Sequence, residues 1–84
     1  MTYTVTMSRP ARRGLTRLPA DVYERLRTSI VALADDPRPY GCKKMTSRDG
    51  WRIRDGDYRA IYLIDDDKQT VLVVEVGHRR EVYR

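Results

Sequence analysis

The stretch WRIRDGDYRAIY, residues 51–62, sets Arg52, Arg54 and Arg59 within eight positions. A second cluster, GHRREVYR at residues 77–84, follows a run of branched apolar residues and holds the sole histidine, His78, beside Arg79, Arg80, Tyr83 and Arg84. Arginine stays protonated and offers a rigid planar fork of donors, so these side chains suit holding a phosphate or stabilising added negative charge, and they make poor bases. His78 and Tyr83 are the cluster's remaining rings with an exchangeable proton, with ordinary values near ~6.5 and ~10.

A hairpin positions the first cluster. Asp55-Gly56 suits a two-residue turn that needs positive φ, which would pair Arg54 with Asp57, Ile53 with Tyr58 and Arg52 with Arg59. Alternation then puts Trp51, Ile53, Tyr58, Ala60, Tyr62 and Ile64 on one face and Arg52, Arg54 and Arg59 on the other. Like charges directly opposite one another are unfavourable in a sheet. Stability alone gives little reason for that arrangement, and a bound phosphate does; the competing explanation is a solvated face whose arginine stems cover apolar surface. On the last strand, alternation allows either His78 or Arg79 to face Arg59, and a bulge at Gly77 would exchange them.

The remaining elements supply the scaffold. TYTVTM alternates with Tyr3, Val5 and Met7 on one face and reads as a strand. Ser8 stands where a helix N-cap belongs, with Pro10 in the first turn. Ala11, Leu15 and Leu18 form the apolar side of that short helix, Arg9, Arg13 and Arg17 recur every four residues on another side, and Gly14 weakens it by up to ~1 kcal/mol relative to alanine. Val22, Leu26, Ile30 and Leu33 mark an amphipathic helix bounded by Pro19 and Pro37. Residues 35–44 read as a loop, followed by strands at Lys44 to Ser47, WRIR, DYRAIYLI and QTVLVVEV. The expected fold is a single α+β domain over residues 1–84, with two N-terminal helices packed on a small, mainly antiparallel four-stranded sheet.

Composition narrows the classes. Eighty-four residues support one small core. The net charge is +5 and arginine makes up fourteen of the seventeen basic residues, a balance that favours nucleic acid or another large anion, although a GC-rich coding sequence also enriches arginine. One cysteine, Cys42, excludes an internal disulfide and Cys-based zinc sites, and a single histidine does not complete a metal centre; no cofactor or metal is expected. The N-terminal segment lacks the apolar run of a signal peptide or membrane span, so a cytoplasmic location without membrane partners is expected.

Together, GCKKM, the GWRIRDGDYRAIYLIDDD hairpin and the ending VLVVEVGHRREVYR resemble the RelE/ParE superfamily of small toxins, specifically its RelE branch, over essentially the whole chain. The resemblance implies a type II toxin–antitoxin toxin: a ribosome-dependent endoribonuclease that cuts messenger RNA in the ribosomal A site and is neutralised by a cognate antitoxin, expected to be acidic and partly disordered. Position by position it implies site residues at Arg52 and Arg54, where lysines are more familiar in the family, at Arg59 of the YR step, at Arg79 with His78 beside it, and at Tyr83. The sequence stops at Arg84 where some relatives continue into another helix.

Attack by the RNA's own 2′-hydroxyl requires a base for its proton, positive charge around the five-coordinate phosphorus and an acid for the departing 5′-oxygen. Arg59 and Arg79 are expected to clamp the scissile phosphate and Arg52 and Arg54 to hold it and its neighbour, while Tyr83 or His78 moves the proton. Lys43, Lys44, Arg80, Arg84 and the Arg9, Arg13, Arg17 stripe are candidate RNA contacts, and Tyr40 is a candidate for stacking on a base. Two other readings share these residues: a ParE-like inhibitor of DNA gyrase, and a nucleic-acid-binding homologue without catalysis.

Overall fold

Ser8 joins the first strand to the first helix through its hydroxyl. In the computed structural model, which describes residues 2–82, Thr4–Met7 form β1 and Arg9–Thr16 form α1. The Ser8 Oγ accepts from the Ala11 amide at 3.2 Å, the N-cap role expected of it, and donates to the Val74 carbonyl at 3.1 Å. Gly14 has a packing reason: a Cβ there would overlap the carbonyl oxygen of Val76, so glycine lets α1 lie directly on the sheet. Ala20–Ala32 form α2, whose Val22, Leu26 and Ile30 are buried at the spacing read from sequence, with Leu33 following at its end.

Lys43–Lys44 form β2, Trp51–Asp55 β3, Tyr58–Asp65 β4 and Thr70–His78 β5, and the short helix α3 spans Arg79–Val82. They make one five-stranded sheet in the order β1-β5-β4-β3-β2, with β1 parallel to β5 and every other pair antiparallel. The α+β class and the mainly antiparallel sheet match the sequence reading. The strand count is five rather than four because even the two-residue β2 pairs with Arg52 and Trp51. The strand expected over Lys44 to Ser47 ends at Lys44. There the Met45 amide donates to the Gly50 carbonyl at 2.9 Å and closes a loop. Gly50 adopts φ +121°, and a Cβ at that position would stand 3.0 Å from the Tyr62 carbonyl.

Both long helices lie against one face of the sheet. Ala11, Leu15, Leu26, Ile30 and Leu33 pack there on Ile53, Ala60, Tyr62, Val71, Val73 and Val76. Tyr62 is fully buried and donates to the Pro37 carbonyl at 2.8 Å; burial raises its phenol well above the ordinary value. Arg38 stacks over Trp51 at 5.1 Å and forms a two-pronged pair with Asp66, which also accepts from the Tyr3 hydroxyl at 2.6 Å. The loop after α2 is thereby tied to the β4–β5 turn. The other sheet face carries Arg52, Arg54, Arg59, Ile61 and Leu63 by strand alternation and is only partly covered: Ile61 and Arg59 are buried, while Arg54 and Leu63 are exposed. Among the described residues no helix is long and apolar enough to cross a membrane.

Candidate active site

The hairpin turn sits one residue later than the sequence reading placed it. Asp55 pairs with Tyr58 and Arg54 with Arg59, so Gly56-Asp57 form the loop, and Gly56 supplies a φ of +61°. The register moves by two, an even shift that preserves the faces. Arg54, rather than Arg52, is thus the direct cross-strand neighbour of Arg59, and the two like charges still stand side by side.

On the next ladder Gly77 opposes Arg59 and His78 opposes Tyr58. The bulge in β5 lies earlier than Gly77, between the partners of Ile61 and Tyr62. This register puts His78 on the helix-covered face, where its ring meets Tyr58 edge-on at 5.4 Å and its Nδ1 accepts from the Arg80 amide at 3.2 Å. His78 lines a groove of about 550 Å³ with Arg13 and Arg17, and the arginine cleft lies elsewhere. The placement separates it from the phosphate-binding candidates it was grouped with. Arg79 takes the other course: the chain turns into α3, and the Arg79 amide donates to the Asp57 carbonyl at 2.8 Å, anchoring that residue on the hairpin turn.

A cleft of about 520 Å³ gathers Lys43, Lys44, Arg52, Arg54, Arg59 and Arg79, together with Met45, Thr46 and Ser47. The last three were not singled out from sequence. The sequence pattern places them on a strand, and only the early end of β2 turns their segment into a wall. Among the described residues no carboxylate lines the cleft, and Arg54, Arg59, Arg79, Lys43 and Lys44 form no ion pair. The basic groups outside the cleft at Arg25, Arg38 and Arg48 each pair with an acid.

Arg59 differs from its neighbours in burial. It is 6% exposed, its Nη1 donates to the Gly56 carbonyl at 2.6 Å and the Tyr58 carbonyl at 3.1 Å, and its buried Nε has no partner. A permanent charge in that position is expensive to desolvate and gains nothing from a carboxylate. Arg54 and Arg79 are exposed at the cleft surface, as are Lys43 and Lys44. The exposed Arg9, Arg13 and Arg17 lie along α1 on the helix-bearing side, and Arg80 lies on α3 outside the cleft lining. Tyr83 and Arg84 lie outside the described residues.

Residues 5–83 match the family described as the ParE toxin of type II toxin–antitoxin systems, parDE. The chain is similar to Toxin RelG of Mycobacterium tuberculosis, 34% identical over 90 residues that cover 100% of this chain and 99% of the relative. It is 31% identical over 87 residues to the mRNA interferase toxin RelE of Escherichia coli K12, covering 99% of this chain and 92% of that protein. Among solved structures it resembles a chain of the RelBE2 toxin–antitoxin complex of M. tuberculosis with a TM-score of 0.78 and 32% identity, over 94% of this chain and 100% of the other.

Proposed function

The chain belongs to the ParE toxin family of type II toxin–antitoxin systems, within the RelE/ParE superfamily, and from that premise we propose that it is a ribosome-dependent endoribonuclease that cuts messenger RNA in the A site. One observation supports the reading: six cationic residues line one cleft in which no other described residue is charged. The name of the E. coli relative, an mRNA interferase, supports the same activity.

In this reading the exposed Arg54 and Arg79 take the oxygens of the scissile phosphate. Arg59, fixed beneath them by the turn carbonyls, adds charge that needs no reorganisation as the phosphorane forms. Arg52, Lys43 and Lys44 hold the flanking backbone. A base removes the 2′-hydroxyl proton, the 2′-oxygen bonds to phosphorus and the bond to the 5′-oxygen breaks. That oxygen gains a proton, leaving a cyclic phosphate on one fragment and a 5′-hydroxyl on the other. Tyr83 is the base we assign. We assign His78 no part in proton transfer, since its strand register places it on the face of Tyr58, away from the arginines. A site equipped with charge and short of bases depends on a substrate held in line, which a ribosome supplies. The reaction is proposed to need no metal, since six cations around the phosphate repel a divalent ion.

The partner we propose is an acidic, partly disordered antitoxin that folds over the basic cleft; a chain of similar structure occurs in the RelBE2 toxin–antitoxin complex. The match to the ParE family favours one other reading, inhibition of DNA gyrase. Expression in a bacterial host separates the two. The nuclease reading expects growth arrest with prompt loss of protein synthesis, relieved by the adjacent open reading frame, and unchanged gyrase supercoiling with purified protein. Arrest with blocked supercoiling and intact messenger would establish the gyrase reading instead.

A further inference from the structure

Among the described residues Tyr40 is the most exposed large hydrophobic side chain, at 107% of its reference surface. Its backbone is braced all the same. Pro39 to Cys42 form a tight turn closed by the Cys42 amide donating to the Pro39 carbonyl at 3.0 Å, and Gly41 carries the φ of +90° that the third position of a type II turn requires. The ring is thus presented by a short, braced loop, so little order has to be imposed on the backbone when something stacks on it.

At this turn opens a cavity of about 340 Å³, lined by Ser29, Ala32, Pro39, Gly41, Ile53 and Arg54 as well as Tyr40. Ile53 is buried there, Ser29 offers a hydroxyl, and among the described residues no acidic group lines it. Arg54 lines this cavity and the arginine cleft alike. Between them runs an uncovered edge, because β2 pairs only with Trp51 and Arg52 and leaves β3 without a neighbouring strand beyond Arg52.

We infer that this cavity is a nucleobase subsite: an RNA strand with a phosphate in the arginine cleft crosses the free edge of β3 at Arg54 and lays an adjoining base on the Tyr40 ring. The chemistry fits a single-stranded ligand. Unpaired bases are bound by stacking on aromatic rings and guanidinium planes, with the backbone tracked by positive charge. The apolar residues Ala32, Pro39 and Ile53 receive the other surface of the base, and Ser29 can bond to its edge. Stacking tolerates every base, so the subsite adds affinity and register with little sequence preference. The neighbouring groove along α2, which shares Ser29 and Arg54, sets Glu24 and Asp55 against Arg25 and Arg54, with Arg25 paired to Asp55, so it lacks the excess of positive charge that the cleft offers a strand.

The inference rests on the RNA-binding part of the proposed function and does not require cleavage. The test measures fluorescence anisotropy with a labelled 2′-O-methyl hexanucleotide, which cannot be cut, and with an abasic backbone of equal length. The proteins are the native chain, Tyr40→Ala and Tyr40→Phe. Loss of one stacked base is expected to weaken the base-bearing probe about 5- to 100-fold in Tyr40→Ala, with near-native binding by Tyr40→Phe and an unchanged affinity for the abasic probe. Equal binding by native protein and Tyr40→Ala, an equal loss on both probes, or no preference of the native chain for the base-bearing probe overturns the subsite, as does a defect confined to the antitoxin complex. Base-dependent binding that needs Tyr40, with no cleavage on ribosomes, would keep the subsite and remove the nuclease.

Discussion

Replacing Arg59 by methionine separates what the cleft needs for folding from what it needs for chemistry. Methionine keeps the buried stem and removes the guanidinium. Two hydrogen bonds vanish, to Gly56 and Tyr58, each worth about 1.5–3 kcal/mol for a charged donor. Gly56 is exposed, so its carbonyl regains water. Against this loss, an unpartnered Nε disappears, worth about 1–3 kcal/mol, together with a desolvation penalty of roughly several kcal/mol for a charge that is 6% exposed and pairs with no acid among the described residues. Repulsion by Arg54, directly opposite, also ends. These opposing changes nearly cancel. The variant is expected to stay within about 1 kcal/mol of the native stability, a Tm change of no more than about 4–8 °C in a domain of this size. Its cleavage rate on ribosomes should fall about 100- to 1,000-fold, the loss typical of one preorganised charge stabiliser. Calorimetry or thermal circular dichroism reads the first quantity and single-turnover cleavage the second. A loss of several kcal/mol would make Arg59 a structural keystone, and near-native cleavage would remove it from the site; either result refutes the reasoning.

Other consequences are as specific. Gly14→Ala adds a helix-favouring residue in α1, yet its Cβ overlaps the Val76 carbonyl, so denaturant titration should show a loss of about 1–3 kcal/mol where propensity alone expects a gain of up to ~1 kcal/mol. Arg38, and next the Tyr3 hydroxyl, hold the Asp66 carboxyl below its ordinary value. The folded chain therefore binds that proton less tightly than the unfolded chain, and the stability gained is present above the usual carboxylate value of ~3.9 and lost as pH falls through the lower folded-state value. Tm measured against pH should accordingly fall less steeply on the acid side for Asp66→Asn than for the native protein. Removing Arg79 should weaken binding of a 2′-O-methyl oligonucleotide and flatten its log–log salt dependence by about 1 in slope, the signature of one lost phosphate contact.

The sequence carried the faces of the hairpin further than its register. Alternation in WRIRDGDYRAIY puts the three arginines together for any even shift of pairing, so the face assignment survives while the turn moves to Gly56-Asp57. Val22, Leu26 and Ile30 fix the inner side of α2 because a period near four has one structural meaning in a small domain. The end of β5 was not legible: whether His78 or Arg79 joins the cleft depends on a bulge upstream in the strand and on α3 turning back toward Asp57. A Cβ at Gly77 would come within 3.2 Å of Glu81, a packing reason for glycine visible only in three dimensions. Burial of Arg59 was equally hidden, since arginine is rarely inside and nothing local marks this one.

The most direct measurement maps the 5′ ends of a defined messenger in a reconstituted translation reaction, with and without ribosomes, for the native chain and for Arg54→Ala combined with Arg79→Ala. Both substituted residues are exposed, so folding is expected to be retained and is checked by the thermal transition. The expected result is a set of ribosome-dependent cuts within codons, bearing 5′-hydroxyl ends, that the double variant does not make. Intact messenger with saturating folded native protein, or an undiminished pattern from the double variant, would contradict the assignment of the arginine cleft as a ribonuclease site.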